Sequence, residues 1–226
     1  MRKLIVGAFV SIDGVMQAPG GPDEDPTGGF KYGGWVAPMA DTDPVFGEEI
    51  GGLFGQPYDL LLGRKTYEIF AAHWPYAEGG PDDMIAQQFN RITKYVVTRS
   101  GDVDTSWVNT VVLSDVAKDV AKLKQDDGPA LVTQGSTEIV HALLAAGLVD
   151  EIRVFTFPVL LGKGKRLFDS SSQAAVYKLT HSKVSPLGLI AATYVPHGEV
   201  KHETIRGAEN PSKAELARRE RMKREG

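Results

Sequence analysis

The chain of 226 residues contains no cysteine, so it can form no disulfide, no thiolate nucleophile and no zinc site with cysteine ligands. It has no apolar run long enough to cross a membrane, and Ser11 and Asp13 interrupt the first apolar run before it could form a signal sequence. A net charge of −4 argues against a nucleic-acid or membrane-surface binder. The five histidines show no metal-ligand spacing, so no metal is predicted. We therefore expect a cytoplasmic protein.

Short apolar runs alternate with helical patterns along the chain. Six runs have the length of strands and lead into turns: 4–10, 59–63, 94–98, 110–113, 130–133 and 150–160. Two further runs, 174–180 and 189–195, have no helical segment between them. The pattern predicts an α/β fold with a mainly parallel central sheet, helices on both faces and an antiparallel C-terminal edge.

Residues with a preference for helix N-termini mark three of the predicted helices. Asp43 precedes Pro44, Pro81 precedes two aspartates, and Ser114 precedes an apolar pattern of helical period. We expect Asp43 and Ser114 to cap their helices and Pro81 to begin its own.

Two segments depart from this alternation. Residues 17–41 are rich in glycine and proline but contain three aromatic residues, so we expect an ordered lid rather than a linker. Beyond residue 197 the chain becomes rich in Glu, Lys and Arg, and Ser212 opens a capping box. We expect one domain over residues 1–197 and a charged tail over 198–226, partly helical or disordered and dispensable for the fold.

Three predicted turns at the carboxyl ends of strands carry groups that suit phosphates: Arg64, Lys65 and Thr66; Thr98, Arg99 and Ser100; Gln134, Gly135, Ser136 and Thr137. Free amides at a helix N-terminus suit a pyrophosphate, and arginine beside hydroxyls suits a phosphate monoester. For each turn alone a structural role stays open, because Ser136 could only cap a helix and the two arginines could be solvated surface charges. Together the turns favour a nucleotide with two kinds of phosphate, NADP(H) rather than NAD(H).

Five motifs, taken together, are typical of one fold family: Ser11-Ile12-Asp13-Gly14, the segment 62–67, Gln134-Gly135-Ser136, the segment 147–151 and the segment 158–164. Through them, the chain over about residues 2–196 resembles the dihydrofolate reductase-like family. The type it is most similar to is the C-terminal reductase domain of the bifunctional riboflavin-biosynthesis deaminase/reductase.

The resemblance implies NADPH as the cofactor. It implies that Arg64, Lys65 and Thr66 lie near the phosphates and that Thr98, Arg99 and Ser100 surround the adenosine 2′-phosphate. It further implies that the turn from Gln134 to Thr137 holds the pyrophosphate, and that Ala8 and Val10 line the nicotinamide. A homodimer is common in this family, and the run 150–160, apolar on both faces, also predicts one.

Two departures from the family bear on the substrate. Thr133 stands where riboflavin-type reductases commonly carry an acid. Asp41 and Asp43 lie in loop or cap positions and do not match the helical carboxylate that serves folate reduction.

The remaining site predictions concern the proton and the substrate ring. Asp13 is the only acid that the sequence brings near the pocket, so it is the candidate catalytic and substrate-binding residue. It could equally be a turn-forming residue, with water supplying the proton. Trp35 and Trp74 could flank a flat substrate ring or be core aromatics. We expect an NADPH-dependent reductase of a small pteridine-like, pyrimidine-like or conjugated substrate; the alternative is a non-catalytic nucleotide-binding or regulatory module.

Overall fold

The computed structural model describes residues 1–80, 82–203 and 210–225. This part of the chain contains eight strands: β1 (Leu4–Ser11), β2 (Tyr58–Gly63), β3 (Lys94–Val97), β4 (Thr110–Leu113), β5 (Ala130–Gln134), β6 (Glu151–Phe157), β7 (Val176–Val184) and β8 (Ile190–Gly198). It also contains seven α-helices: α1 (Ala37–Ala40), α2 (Pro44–Phe54), α3 (Arg64–Ala71), α4 (Asp83–Arg91), α5 (Val116–Gln125), α6 (Thr137–Ala145) and α7 (Lys213–Glu225). Two short 3₁₀ helices are Thr27–Gly29 and Trp74–Tyr76.

The eight strands form one sheet in the order β4-β3-β2-β5-β1-β6-β8-β7. The six strands from β4 to β6 are parallel, whereas β8 pairs antiparallel with both β6 and β7. The predicted α/β architecture with an antiparallel C-terminal edge is thus confirmed. In the parallel part, the turns that follow β2, β3 and β5 all lie at one edge of the sheet.

Helices cover both faces of the sheet. On one face α5 and α6 pack against alternate residues of β1, among them Leu4 and Val6. On the other face α2, α3 and α4 contribute to a core that contains Ile5 of β1. A third cluster joins residues of the lid and of α2 to β6 and β8. The inner parallel strands β1, β2 and β5 are buried on both faces, so their sequences are largely apolar runs without a polar face, whereas the edge strand β4 is partly exposed.

The ends of several elements differ from the sequence expectation. Ser114 does not cap α5; the Asp115 carboxylate accepts from Lys118 N at 2.9 Å, and an aspartate is as good an N-cap as a serine. β8 continues to Gly198, one residue beyond the predicted domain end. Asp43 does cap α2. The expectation for Pro81 falls outside the described residues, and α4 begins at Asp83.

Two buried cations lie near the amino-terminal ends of the parallel strands. Arg2 forms an ion pair with Asp59, whose carboxylate also accepts from Thr93 N at 3.0 Å. Lys94 is 0% exposed, donates to Phe89 O at 2.9 Å and lies 4.4 Å from the Trp107 ring centroid. Burial lowers the pKa of the Lys94 amine from 10.5 to about 8, against the opposing effect of the Asp59 charge. The charged form of Lys94 is therefore disfavoured by folding.

Replacing this lysine should remove a pH-dependent contribution to stability. The folded-state pKa lies below that of the unfolded chain, so the penalty is fully present below about pH 8 and disappears as the pH rises towards 10.5. We expect the unfolding free energy of the wild type to rise by about 1–2 kcal/mol relative to Lys94→Met between about pH 8 and about pH 10. Urea denaturation over this range measures the difference, and a constant difference would contradict the lowered pKa.

The tail contains the helix α7, which has no apolar stripe. Leu216 and Met222 are 49% and 55% exposed. Glu215 accepts from Arg218 and Arg219 within the helix, and the Ser212 hydroxyl accepts from Glu215 N at 3.2 Å. Salt bridges between exposed residues three or four positions apart stabilise a helix only slightly, so α7 has little that would hold it against a protein body.

Truncation of the chain after Glu199 should therefore leave the fold intact. We expect the melting temperature to change by less than about 2 °C, because β8 and its pairing with β7 are retained. Calorimetry or circular dichroism would measure it. A loss of several degrees would mean that the tail packs on the body or on a partner subunit.

Candidate functional site

A cleft of about 1020 Å³ opens at the carboxyl ends of the parallel strands. It is lined by nine of the predicted cofactor residues: Arg64, Lys65, Thr66, Arg99, Ser100, Gln134, Gly135, Ser136 and Thr137. The structure thus brings together three turns that are far apart in sequence. Thr98 does not line the cleft; it is buried behind it, and its hydroxyl lies 3.3 Å from Ser100 Oγ.

The turns after β2 and β5 are joined by one side-chain hydrogen bond. Ser136 Oγ accepts from Gly63 N at 2.9 Å. To make this contact, Gly135 and Ser136 both adopt the left-handed region, with φ of 71° and 56°. Although Ser136 occupies the N-cap position of α6, its side chain makes no capping bond. The first amides of α6 therefore face the cleft side of the sheet without a side-chain cap, as an anion-binding helix start requires.

Both glycines of these turns are in close contact with neighbouring side chains. A Cβ at Gly135 would lie 3.3 Å from Thr66 Cγ2, and one at Gly63 would lie 3.1 Å from Ile139 Cγ1. The positive φ of Gly135 independently favours glycine. The absence of a side chain at both positions lets the turn and the helix start pack closely.

The arginines of the cleft differ in their freedom. Arg64 Nη1 donates to Glu68 Oε1 at 2.7 Å, one helical turn later in α3. The Arg99 side chain is 92% exposed and its nearest carboxylate, that of Glu138, is 3.9 Å away. Such a contact between exposed groups contributes little, so Arg99 can turn to a bound phosphate without losing a strong partner.

Residues 16–25, at the start of the lid, form the opposite wall of the cleft. The Gln17 side chain donates to Asp25 O and Thr27 O at 3.0 and 2.9 Å and accepts from Lys165 N at 3.0 Å. Lys165 also forms an ion pair with Asp25. These bonds give the lid an ordered structure and attach it to the loop that follows β6.

Glu24 is an acid of this wall that no sequence motif singles out. Its carboxylate accepts from the amides of Gly20 and Gly21, the latter at 3.1 Å. Burial raises the pKa of the Glu24 carboxyl group, and these two hydrogen bonds oppose the rise. The Glu24 carboxylate thus stabilises a turn within the lid by binding amides three and four residues earlier in the chain.

Trp35, predicted beside the substrate, lies behind the lid wall. It is 9% exposed, its Nε1 donates to Gln17 O at 2.8 Å, and its ring packs edge-on against Phe157 at 5.5 Å. It is not among the cleft residues, and the geometry corresponds to the core-aromatic alternative.

The side chains of Ala8 and Val10 also lie elsewhere. They are 0% and 5% exposed and belong to the core beneath α5 and α6. Because side chains alternate along a strand, it is Phe9 that lines the cleft. The sequence gives no face preference here, since β1 is apolar on both sides.

Asp13 serves as a connector between two loops. Its carboxylate accepts from Ser11 Oγ at 2.7 Å, from Leu161 N at 3.1 Å and from Gly162 N at 2.9 Å, and it forms an ion pair with Arg166. The Ser11 hydrogen bond is the largest cause that lowers the Asp13 pKa to about 2. Asp13 is not among the cleft residues, and so low a pKa makes it a poor proton donor at neutral pH.

One part of the cleft is lined by four aromatic residues, of which the sequence pointed only to Trp74 as a candidate beside a substrate ring. Phe54 of α2, Phe70 of α3, Trp74 and Phe89 of α4 form what we call the aromatic wall. Phe70 and Phe89 stack with centroids 5.7 Å apart, and Trp74 meets Phe89 edge-on at 5.0 Å. The sequence signal that could have identified the other residues is the apolar face of each helix, but such a face occurs equally in a buried core and in the wall of a cleft.

Comparison with known proteins gives the family. A family model for the RibD C-terminal domain matches residues 2–190. The chain belongs to the RibD C-terminal domain family. Over 195 residues it is 24% identical to the uncharacterized protein YyaP of Bacillus subtilis (strain 168), an alignment that covers 85% of this chain and 94% of YyaP.

Two solved structures share the fold. A pyrimidine reductase-like protein from Corynebacterium diphtheriae aligns with a TM-score of 0.57 at 16% identity, covering 88% of this chain and 93% of that protein. Dihydrofolate reductase from Enterococcus faecalis, complexed with NADP(H), aligns with a TM-score of 0.54 at 17% identity, covering 86% and 96%. The predicted resemblance and the dihydrofolate reductase-like fold are confirmed, and the family is of the reductase type.

The Asp13 contacts generate a prediction that separates structure from catalysis. Asp13→Asn keeps the shape but turns an amide N–H₂ group towards backbone or guanidinium donors, so the loop should lose stability by about 1–2 kcal/mol. We expect turnover per folded enzyme to stay within about threefold of the wild type, because the carboxylate does not line the cleft. A loss of about 100-fold in turnover with unchanged NADPH affinity would instead make Asp13 the proton donor.

Proposed function

We propose that the protein is an NADPH-dependent reductase of a small heterocyclic or conjugated substrate. The observation that carries the proposal is the continuity of the cleft, which runs from three phosphate-compatible turns into the aromatic wall. The first part suits a dinucleotide and the second a flat ring, and a hydride donor and its acceptor must lie in contact. When bound, NADPH would supply the hydride.

The residues of the cleft fit this cofactor. In our proposal the uncapped amides at the start of α6 and the turn Gln134–Thr137 bind the pyrophosphate. Arg64, Lys65 and Thr66 lie on its other side, at the start of α3. Arg99 and Ser100 bind the adenosine 2′-phosphate, since a guanidinium beside a hydroxyl matches a phosphate monoester. Thr98 supports Ser100 from behind.

The chain's own role at the reacting atoms is to orient the ring and exclude water. Phe9 and the apolar side chains of α2 provide a surface that would exclude water from the place of hydride transfer. We propose that water at the mouth of the cleft supplies the proton, because Asp13 is held ionised in a structural role.

Two features limit the substrate. Thr133, which stands in the position of the riboflavin-type acid, is 0% exposed and lies outside the residues that line the cleft. Asp43 caps α2 and accepts from the Ser185 hydroxyl, so it is not available to a folate ring. We therefore propose that the substrate is bound differently from the substrates of riboflavin-type reductases and from folate.

The alternative function is a nucleotide-binding module without turnover. It would explain the three turns but not the apolar part of the cleft. Steady oxidation of NADPH with a reducible substrate separates the two functions. A homodimer remains a prediction of the family resemblance.

The cofactor preference is tested at Arg99. Arg99→Ala should weaken NADPH binding by about 1.5–3 kcal/mol and leave NADH binding nearly unchanged, because only NADPH carries the phosphate that the guanidinium would bind. Fluorescence titration of both cofactors measures this. Arg91→Ala is the matched control, since Arg91 is an exposed arginine outside the cleft. Equal losses for NADPH and NADH would refute the role of Arg99.

A further inference from the structure

The two sides of α2 have opposite chemical character. Phe46, Ile50 and Phe54, spaced by four residues, all line the cleft. The acids of the same helix point to the antiparallel edge of the sheet, where Glu48 pairs with Lys183 and Glu49 with His181. The helix that borders the substrate end of the cleft therefore offers it no carboxylate.

The aromatic wall continues this apolar surface onto the next two helices. In α3 the cleft residues after the first turn are Ile69 and Phe70, and in α4 they are Ile85 and Phe89, again four positions apart. Among the described cleft residues of α2, of α3 after its first turn, of α4 and of the segment between α3 and α4, His73 is the only ionisable group, and its side chain is 60% exposed. Flat apolar rings are the natural partners of such a surface, by stacking or edge contacts.

The charged residues of the cleft are found elsewhere and are mostly engaged. Arg64, Lys65 and Arg99 belong to the turns assigned to the cofactor. Asp25 of the lid forms an ion pair with Lys165 of the loop after β6, and Glu24 accepts from two backbone amides. The remaining acids of the cleft, Asp23 and Glu138, lie on the lid and in the first turn of α6. A phosphorylated or polyhydroxylated substrate would lose its water at the aromatic wall without gaining hydrogen bonds, which is costly.

From these contacts we infer that the substrate is a neutral, flat, apolar conjugated carbonyl compound of the quinone class. The inference rests on the proposed reductase function and names its substrate class. In the reaction the quinone accepts one hydride from NADPH and one proton from water, giving the hydroquinone and NADP⁺. The aromatic wall and the apolar face of α2 bind the ring, and the open rim leaves the carbonyl oxygens in contact with water.

Binding without turnover provides the test. Menadione, a neutral naphthoquinone, is titrated by calorimetry into the protein saturated with NADP⁺, with a phosphorylated ribityl pyrimidine and dihydrofolate as comparison ligands. We expect menadione to bind at least about tenfold more tightly than either. Tighter binding of the ribityl compound or of dihydrofolate would overturn the inference.

Two pairs of variants locate the binding surface. Ile50→Asp and Ile85→Asp each add a charge to the cleft and should weaken menadione at least about tenfold, since the ring would have to desolvate it. Gly51→Asp and Met84→Asp add the same charge one position away, where both residues are exposed and outside the cleft, and should change the affinity by less than about twofold. Ile85 is 40% exposed, so its substitution keeps the test valid if Ile50→Asp fails to fold.

Equal effects within each pair would place menadione elsewhere and overturn the inference. NADPH affinity, measured on the same proteins, distinguishes this failure from that of the proposed function. A wild type that binds NADPH but not menadione refutes the substrate class alone. A wild type that does not bind NADPH refutes the reductase proposal, on which the inference rests.

Discussion

The hydrogen bond from Gly63 N to Ser136 Oγ is the constraint on which the cleft depends. It joins the ends of two neighbouring parallel strands through residues 73 positions apart. At the approach, a Cβ at Gly63 would press on Ile139, and Gly135 and Ser136 both adopt the left-handed region. A non-glycine residue in that conformation carries a strain of about 1 kcal/mol or more, which the hydrogen bond to an otherwise unpaired amide offsets. The same use of Ser136 leaves α6 without a side-chain cap, so the contact between the strand ends and the uncapped helix start have one cause.

A second constraint comes from α2, which lies between the cleft and the antiparallel edge of the sheet. The ion pair between Glu48 and Lys183 and the contact between Glu49 and His181 attach the helix to β7, while Phe46, Ile50 and Phe54 form one side of the cleft. The antiparallel hairpin thereby has a part in the site although it lines none of it. The exposed pairs contribute little energy individually, but Asp43 fixes the beginning of the same helix through its cap and through Ser185. Orientation of the helix is thus set at several points along its length.

The sequence was sufficient to predict the strands, the helices that alternate with them and the three turns, because apolar runs and glycine-containing turns are local signals. It was insufficient wherever a side chain finds its partner far along the chain. Asp13 has the appearance of a site acid, yet its carboxylate is engaged by amides 148 and 149 residues away. Ala8 and Val10 could not be distinguished from Phe9, since a strand buried on both faces lacks the alternation that assigns a face. Trp35 likewise meets Gln17 and Phe157 only in the folded chain.

The distribution of charge also explains how the two ends of the cleft can vary independently. The cations stand on turns whose geometry is fixed by backbone contacts and glycines, whereas the apolar wall consists of side chains on three helices. The apolar lining residues of α2 and α4, and those of α3 after its first turn, are separate from Gly63, Gly135 and Ser136, so their substitution changes the lining of the cleft while these three turn residues are kept. Members of one fold family can therefore keep the same nucleotide turns while differing in the ring they accept, since function resides in the site and not in the fold. In this chain the helices present aromatic and aliphatic groups to the cleft, and in our proposal these groups, more than the turns, select the substrate.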